Sequence, residues 1–253
     1  MLTDIVLLLT GVIVGGMNAI AGGGMLIGFP VMVALGVPPL IANASGNVVT
    51  MPGQLSSAFA YRRLLRRVPK YYLLLLVPTF IGSIYGAYLL RHTDPTHFAD
   101  LVPLLVLCAV LLFAFQPFIH FHLHRQVYSR VTRAIPFILI SIALLPLSIY
   151  GGYFGAGYGF IMLAFLGLTN LRDAHMMNAI KNVGAVVISS CSILVLFSAN
   201  LIDWHHAICM GIGSLIGGYL GAVGAQRVST HAIRIAVIVI GLAAVVFLVL
   251  CDY

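Results

Sequence analysis

The sequence predicts an all-α polytopic membrane protein, and three observations carry that prediction. Hydrophobic residues make up 61% of the 253-residue chain and charged residues 8%, where an ordinary soluble domain carries about 25% charged. Between Ile5 and Tyr61 there is no Asp, Glu, Lys, Arg or His. Apolar runs long enough to cross a hydrocarbon core of about 30 Å recur along the whole length. A membrane β-barrel would instead show segments of about ten residues with alternating polarity, and no such alternation occurs.

Taken in order, the first apolar run, 4–20, lacks the basic flank of a cleaved signal peptide and is read as a retained membrane helix. Segment 22–36 is opened by Gly22-Gly23-Gly24 and closed by Gly36. As a helix it spans only about 22 Å, so it is expected as a broken or re-entrant element beside its predecessor. Segment 38–61 starts at Pro38-Pro39 and runs to the basic group Arg62, Arg63, Arg66, Arg67 and Lys70. Apolar segments at 71–90 and 100–119 complete the first half, and 135–152 opens the second. Segment 155–168, opened by Gly155-Ala156-Gly157 and closed by Gly167, is again too short to span alone. Segments 174–199, 204–225 and 232–251 follow, for eight to ten crossings. Pro30, Pro52, Pro78, Pro103 and Pro146 mark kinks within apolar helices. Cys108, Cys191, Cys209 and Cys251 sit in apolar runs without paired spacing and read as small buried hydrophobes.

Ten of the thirteen Lys and Arg lie in three loops: Arg62 to Lys70, Arg125 to Arg133, and Arg227 with Arg234. The positive-inside rule places these loops in the cytoplasm and both termini outside it. Asp4, Asp94, Asp100, Asp203 and Asp252 then fall on the extracytoplasmic side. The net charge of +7 is thereby assigned to topology and contact with anionic head groups, and nucleic acid is not expected as a partner. The group at Arg62 to Lys70 could also concentrate anions at the inner mouth.

The chain contains a weak internal repeat. A shift of 135 residues places Asn43-Ala44-x-x-Asn47 on Asn178-Ala179-x-x-Asn182, and Gly82 and Gly86 on Gly217 and Gly221. Loop 62–70 is strongly basic whereas its counterpart at 198–203 carries only Asp203. Corresponding loops therefore lie on opposite faces, and the halves are inverted. The expected organisation is a first transmembrane repeat over 1–119, a basic cytoplasmic connector over 120–134 and a second, inverted repeat over 135–253. Inverted repeats are the usual build of secondary carriers, with substrate near the midplane where broken helices meet. The paired glycines four apart are read as helix contacts.

The order of these features resembles a known family. The carrying residues are Gly22-Gly23-Gly24, Pro30, Gly36-Val37-Pro38-Pro39, Ala42 to Ser45 and Tyr61-Arg62-Arg63. The second half adds Gly155 to Gly159, Asn178 to Asn182 and Asp203-Trp204. Together they are similar to the TauE/SafE family of sulfite and organosulfonate exporters, over nearly the full chain. The resemblance implies a carrier in a bacterial inner (plasma) membrane, moving small, often sulfur-containing anions on an ion gradient.

Lys181 is the most informative residue, because it lies inside a long apolar segment where a lysine costs roughly 2.5–3.5 kcal/mol. A fixed positive charge there suits an anion carrier; the alternative is that it snorkels to the interface near Arg172 and Asp173. Asn43, Ser45, Asn47, Asn178 and Asn182 can donate to oxyanions. A spacing of four keeps Asn43 with Asn47, and Asn178 with Asn182, on one helix face. The same groups could instead bond between helices. Gly22, Gly23, Gly24, Gly155 and Gly157 are expected to expose backbone amides at half-helix N-termini as an anion seat. Tyr158 is a further candidate for substrate contact, and Asn18, Gln54, Ser56, Ser189, Ser190 and Ser192 for lining the path.

These residues predict a secondary transporter of small oxyanions working by alternating access, and the resemblance implies sulfur oxyanions above all, such as sulfite, thiosulfate or organosulfonates. The expected partners are that anion, a coupling proton or other ion, and membrane lipids, with a homodimer as one option for assembly. No ATP motif is present, and no cofactor is expected. A metal cation permease using His120, His122, His124, His205 and His206 is the competing transport reading. An intramembrane enzyme would need a nucleophile with a base in reach, which the placement of His and Asp near loops does not favour. Gly157-Tyr158-Gly159 echoes a potassium-filter triplet but lacks the preceding Thr-Val.

Overall fold

The computed structural model describes residues 2–20, 22–130, 137–167, 169, 171, 173–224 and a few positions between 239 and 246. Arg133, Arg172, Arg227, Arg234, Cys251, Asp252 and most of the expected segment 232–251 lie outside the described residues. The helices are α1 (Leu2–Ile20), α2 (Met25–Ala34), α3 (Pro39–Ala60), the single turn α4 (Arg62–Leu65) and, after a 3₁₀ stretch at Lys70–Leu75, α5 (Leu76–Arg91). There follow α6 (Pro95–Arg130), α7 (Phe137–Tyr153), α8 (Tyr158–Gly167), α9 (Ala174–Phe197) and α10 (Trp204–Gly224). No strand occurs among the described residues, so the all-α class expected from composition is the one observed.

Leu2–Ile20, Lys70–Arg91, Ala174–Phe197 and Trp204–Gly224 are long and apolar enough to cross a membrane. A helix satisfies its own backbone, which lipid cannot do. Large apolar side chains such as Leu9, Phe80, Leu194 and Leu220 project outward from these helices, as a lipid-facing surface requires. α3 has 22 residues, but Asn43, Asn47, Thr50 and Gln54 form a polar stripe along it. Helical spacing puts these four on one face, and that face turns inward.

The two glycine-led segments are shorter than the sequence suggests, because their opening residues form turns. α2 and α8 have 10 residues each, or about 15 Å of helix. Gly22 and Gly155 take φ of +89° and +73°, a left-handed conformation that residues with a Cβ avoid. α6 is helical to Arg130, through most of the stretch expected as a connector. The extended backbone that would suit metal ligands at His120, His122 and His124 is therefore not formed there.

α3 and α9 pack against each other at the centre; α10 lies against both α1 and α3, and α5 against both α7 and α9. α2 rests on α3 and α8 on α9, with α6 touching both short helices. Small residues let the long helices approach closely. A Cβ on Gly15 would stand 2.1 Å from the Ser214 carbonyl oxygen, and one on Gly217 would stand 1.9 Å from that of Val12, so the α1–α10 seam admits no side chain at either point. On the other side, Gly86 presses on the Ile149 carbonyl of α7 and Gly152 on the Ser83 carbonyl of α5, each within 2.3 Å of a notional Cβ. The glycine pairs singled out in the sequence lie at these seams.

Candidate functional site

The breaks after α1 and α7 meet in the interior. A Cβ built on Gly22 would lie 2.7 Å from the Gly159 Cα, and one on Gly159 would lie 2.7 Å from the Gly22 Cα. The first turn thus touches the opening of α8 backbone to backbone, and Gly23 lies against the Phe160 ring. Beside this junction is a cavity of about 60 Å³. That is far below the roughly 300–1,000 Å³ of pockets for drug-sized ligands and suits an ion of a few heavy atoms.

Six helices and the two breaks build its wall. The end of α1 and the first turn give Asn18, Gly22 and Gly23; α2 gives Met25 and Phe29; α3 gives Asn43, Gly46, Asn47, Thr50 and Gln54. The second break, with the end of α7 and the start of α8, contributes Gly151, Phe154, Gly155, Ala156, Tyr158 and Gly159, and α9 contributes Lys181, Asn182, Ala185, Ile188 and Ser189. Phe29 and Phe154 meet edge to face across the breaks, ring centroids 6.0 Å apart.

Lys181 dominates the electrostatics. It is 1% exposed, so it does not snorkel to an interface. Its Nζ donates to the Asn18 backbone oxygen at 2.7 Å and to the Asn178 Oδ1 at 3.0 Å. Neither acceptor carries a charge, and no Asp or Glu pairs with Lys181 among the described residues. An ammonium has three donors, so one remains for an occupant of the cavity. Asn182 is equally buried at 1% exposure, and its Nδ2 has no partner. A buried amide without an acceptor costs about 1–3 kcal/mol; an acceptor in the cavity would relieve that.

Asn18 organises the first break. Its Oδ1 accepts from the Gly23 and Gly24 amides at 2.9 and 2.8 Å, while the Gly22 amide donates to the Met17 oxygen. Those three amides, expected to seat an anion, are thus already used, and this turn supplies shape rather than donors. In the second break the Gly155 amide, also expected to seat an anion, is likewise used, donating to the Tyr150 backbone oxygen at 3.2 Å, and the Tyr150 hydroxyl donates to the Ala156 oxygen. Across the centre, the Asn43 Nδ2 donates to the Tyr153 oxygen at 2.8 Å, and the Ser189 Oγ donates to the Gln54 Oε1 at 2.9 Å.

Of the twelve residues singled out in the sequence, Gly22, Gly23, Asn43, Asn47, Gly155, Tyr158, Lys181 and Asn182 line the cavity. The Tyr158 hydroxyl lies beside Gly184. Asn178 stands behind Lys181 as an acceptor. Ser45 lies elsewhere, its Oγ accepting from the Asp203 amide and tying α3 to the start of α10. Gly24 is pinned under the Val14 carbonyl, and Gly157 packs towards Ala109 of α6. Thr50, Phe29, Phe154 and Gly46 were not singled out by sequence, although Thr50 falls on the helical face defined by Asn43 and Asn47.

The sulfite exporter TauE/SafE family matches residues 7–248. The chain belongs to the TauE/SafE family. Among relatives, it is 29% identical over 225 residues to a probable membrane transporter protein of Haemophilus influenzae, covering 86% of this chain and 83% of that one. It is 27% identical to the probable membrane transporter protein YfcA of Escherichia coli K12, covering 86% and 78% of the two chains. A probable membrane transporter protein, ORF9, of a Sinorhizobium species is 28% identical, covering 91% and 86%. No solved structure matches the chain significantly. Membership in TauE/SafE, with four apolar helices of spanning length, makes this an integral membrane protein and a membrane transporter.

His205 and His206 do not line the cavity. His206 Nδ1 pairs with Asp203 Oδ2 at 2.8 Å and His205 Nε2 with Asp4 Oδ1 at 3.0 Å. Asp4, His205 and Cys209 bring three potential ligand atoms within 4.8 Å of one another, on α1 and α10 and outside the cavity lining.

Proposed function

We propose that this TauE/SafE transporter is a secondary carrier of small anions, sulfur-containing oxyanions foremost, which bind in the cavity where the two breaks meet. The observation that carries the reading is Lys181: a fully buried cation, held by two uncharged oxygens, facing a small cavity and lacking a carboxylate partner among the described residues. A buried charge is costly until it is paired, and an anion in the cavity supplies the pair. Asn182, Asn43, Asn47 and Thr50 add neutral polar groups around it.

In this reading the chain comprises an inverted pair of repeats, 1–119 and 135–253, joined by a basic connector. Hydrogen bonding across the centre supports it. Gln54 and Ser189 are 135 residues apart and bond to each other directly, as counterparts do where a two-fold axis passes. The shift that relates Asn43 to Asn178 also relates Tyr153 to Asn18, and α3 reaches the Tyr153 oxygen as α9 reaches the Asn18 oxygen. The pairing of α1 with α10 is echoed by that of α7 with α5. Alternating access then consists of rocking these halves about the fixed site, with a proton as the coupling ion. The protein sits in the bacterial inner membrane with the Arg62 to Lys70 loop in the cytoplasm.

The test is heat stability of the purified chain across a panel of sulfite, thiosulfate, sulfonates, carboxylates, sulfate and divalent metals, for wild type and Lys181→Ala. Stabilisation by an anion class, lost in Lys181→Ala, supports the reading. Stabilisation by metals alone, or an anion effect indifferent to Lys181, overturns it.

A further inference from the structure

We infer that the site selects singly charged oxyanions over doubly charged ones of the same size. The inference rests on the anion-carrier reading and adds a charge rule to it. Among the described residues lining the cavity, Lys181 is the single charged side chain; all other polar members are amides or hydroxyls. Dipoles orient an anion but cannot cancel its net charge. The first-break amides, which would add partial positive charge, are closed onto Asn18 and Met17.

The structure also explains why the charge is not duplicated. The 135-residue shift that pairs Asn43 with Asn178 sets Gly46 opposite Lys181. Gly46 lines the cavity without a side chain, and the space its Cβ would enter holds the Met25 Cε, 2.5 Å away. Where one half offers an ammonium, the other offers a methyl group. A monoanion entering the low-dielectric interior forms a neutral pair with Lys181, which is already buried there. A dianion retains a net negative charge there, and the cost of burying charge rises with its square.

The experiment titrates the purified full chain with methanesulfonate and with sulfate at neutral pH and matched ionic strength. Both are tetrahedral sulfur oxyanions of similar volume, so charge is the main variable. Methanesulfonate is expected to bind more than about tenfold tighter, and Lys181→Met to abolish binding of both. Sulfate binding as tightly as methanesulfonate in a Lys181-dependent manner overturns the charge rule and leaves the anion site standing. Binding of neither overturns the anion site itself. A second arm places a cation at the related position: Met25→Ala combined with Gly46→Lys is expected to shift preference towards sulfate by about tenfold or more. A folded double variant with the wild-type preference overturns the rule, and if the variant does not fold the wild-type comparison decides.

Discussion

Asn18 joins the backbone break to the charge, so its substitutions separate structure from electrostatics. Its Oδ1 holds the Gly23 and Gly24 amides, and its backbone oxygen holds Lys181. Asn18→Ala removes the side-chain acceptor and strands two buried donors. At about 1–3 kcal/mol each, the expected loss is roughly 2–6 kcal/mol. Asn18→Asp keeps an acceptor for both amides but brings a carboxylate near Lys181. Two unit charges about 5 Å apart at an effective dielectric of about 20 attract by roughly 3 kcal/mol. The internal carboxylate would therefore weaken anion binding by about two orders of magnitude. Heating the detergent-purified protein with a thiol-reactive dye reads the first effect, as the rise when buried Cys191 becomes accessible above the baseline set by exposed Cys108 and half-buried Cys209. Melting is compared at one scan rate, because unfolding of such proteins is commonly irreversible. Asn18→Ala should melt well below wild type; Asn18→Asp should melt near it yet gain nothing from added anion. An Asn18→Ala protein as stable as wild type, or an Asn18→Asp protein stabilised by anions as wild type is, refutes the reasoning.

Other perturbations follow the same geometry. Gly22→Ala meets both a left-handed φ of +89° and the Gly159 Cα at 2.7 Å, so yield of folded protein should collapse. Gly36→Ala has the same φ but open space around it, and should lose only about 1–2 kcal/mol in the same melt. Gly15→Leu drives a side chain into the Ser214 carbonyl across the α1–α10 seam; size-exclusion of the detergent-solubilised protein should show aggregation. Ser189→Ala removes the donor to the buried Gln54 Oε1 and should lower stability by about 1–2 kcal/mol, while restoring a hydroxyl with Ser189→Thr recovers part of it.

The fold was legible in the sequence wherever apolar runs and their breaks decide it. Gly22-Gly23-Gly24 and Gly155-Ala156-Gly157 mark the two interruptions, and α2 and α8 begin just beyond them. Lys181 stood out because a cation deep in an apolar helix is costly. What the sequence did not reveal are the relations that only packing creates. In the sequence Asn18 is one of several polar residues in a helix, yet it closes the turn that follows it. Ser45 shares a segment with Asn43, but its position in the helical turn points it to the Asp203 amide rather than the cavity. Phe29 and Phe154 carry no local signal for their meeting, since it depends on how α2 packs near the end of α7. Thr50 is legible from helical periodicity, since it shares the face of Asn43 and Asn47.

In the proposed mechanism the anion pairs with buried Lys181 on its way across the membrane. The most direct test is exchange of labelled methanesulfonate across proteoliposomes holding wild type or Lys181→Met, with folding of the variant checked by its melt. Saturable exchange by wild type and none above empty liposomes for a folded Lys181→Met is expected. Exchange by Lys181→Met at the wild-type rate would contradict it.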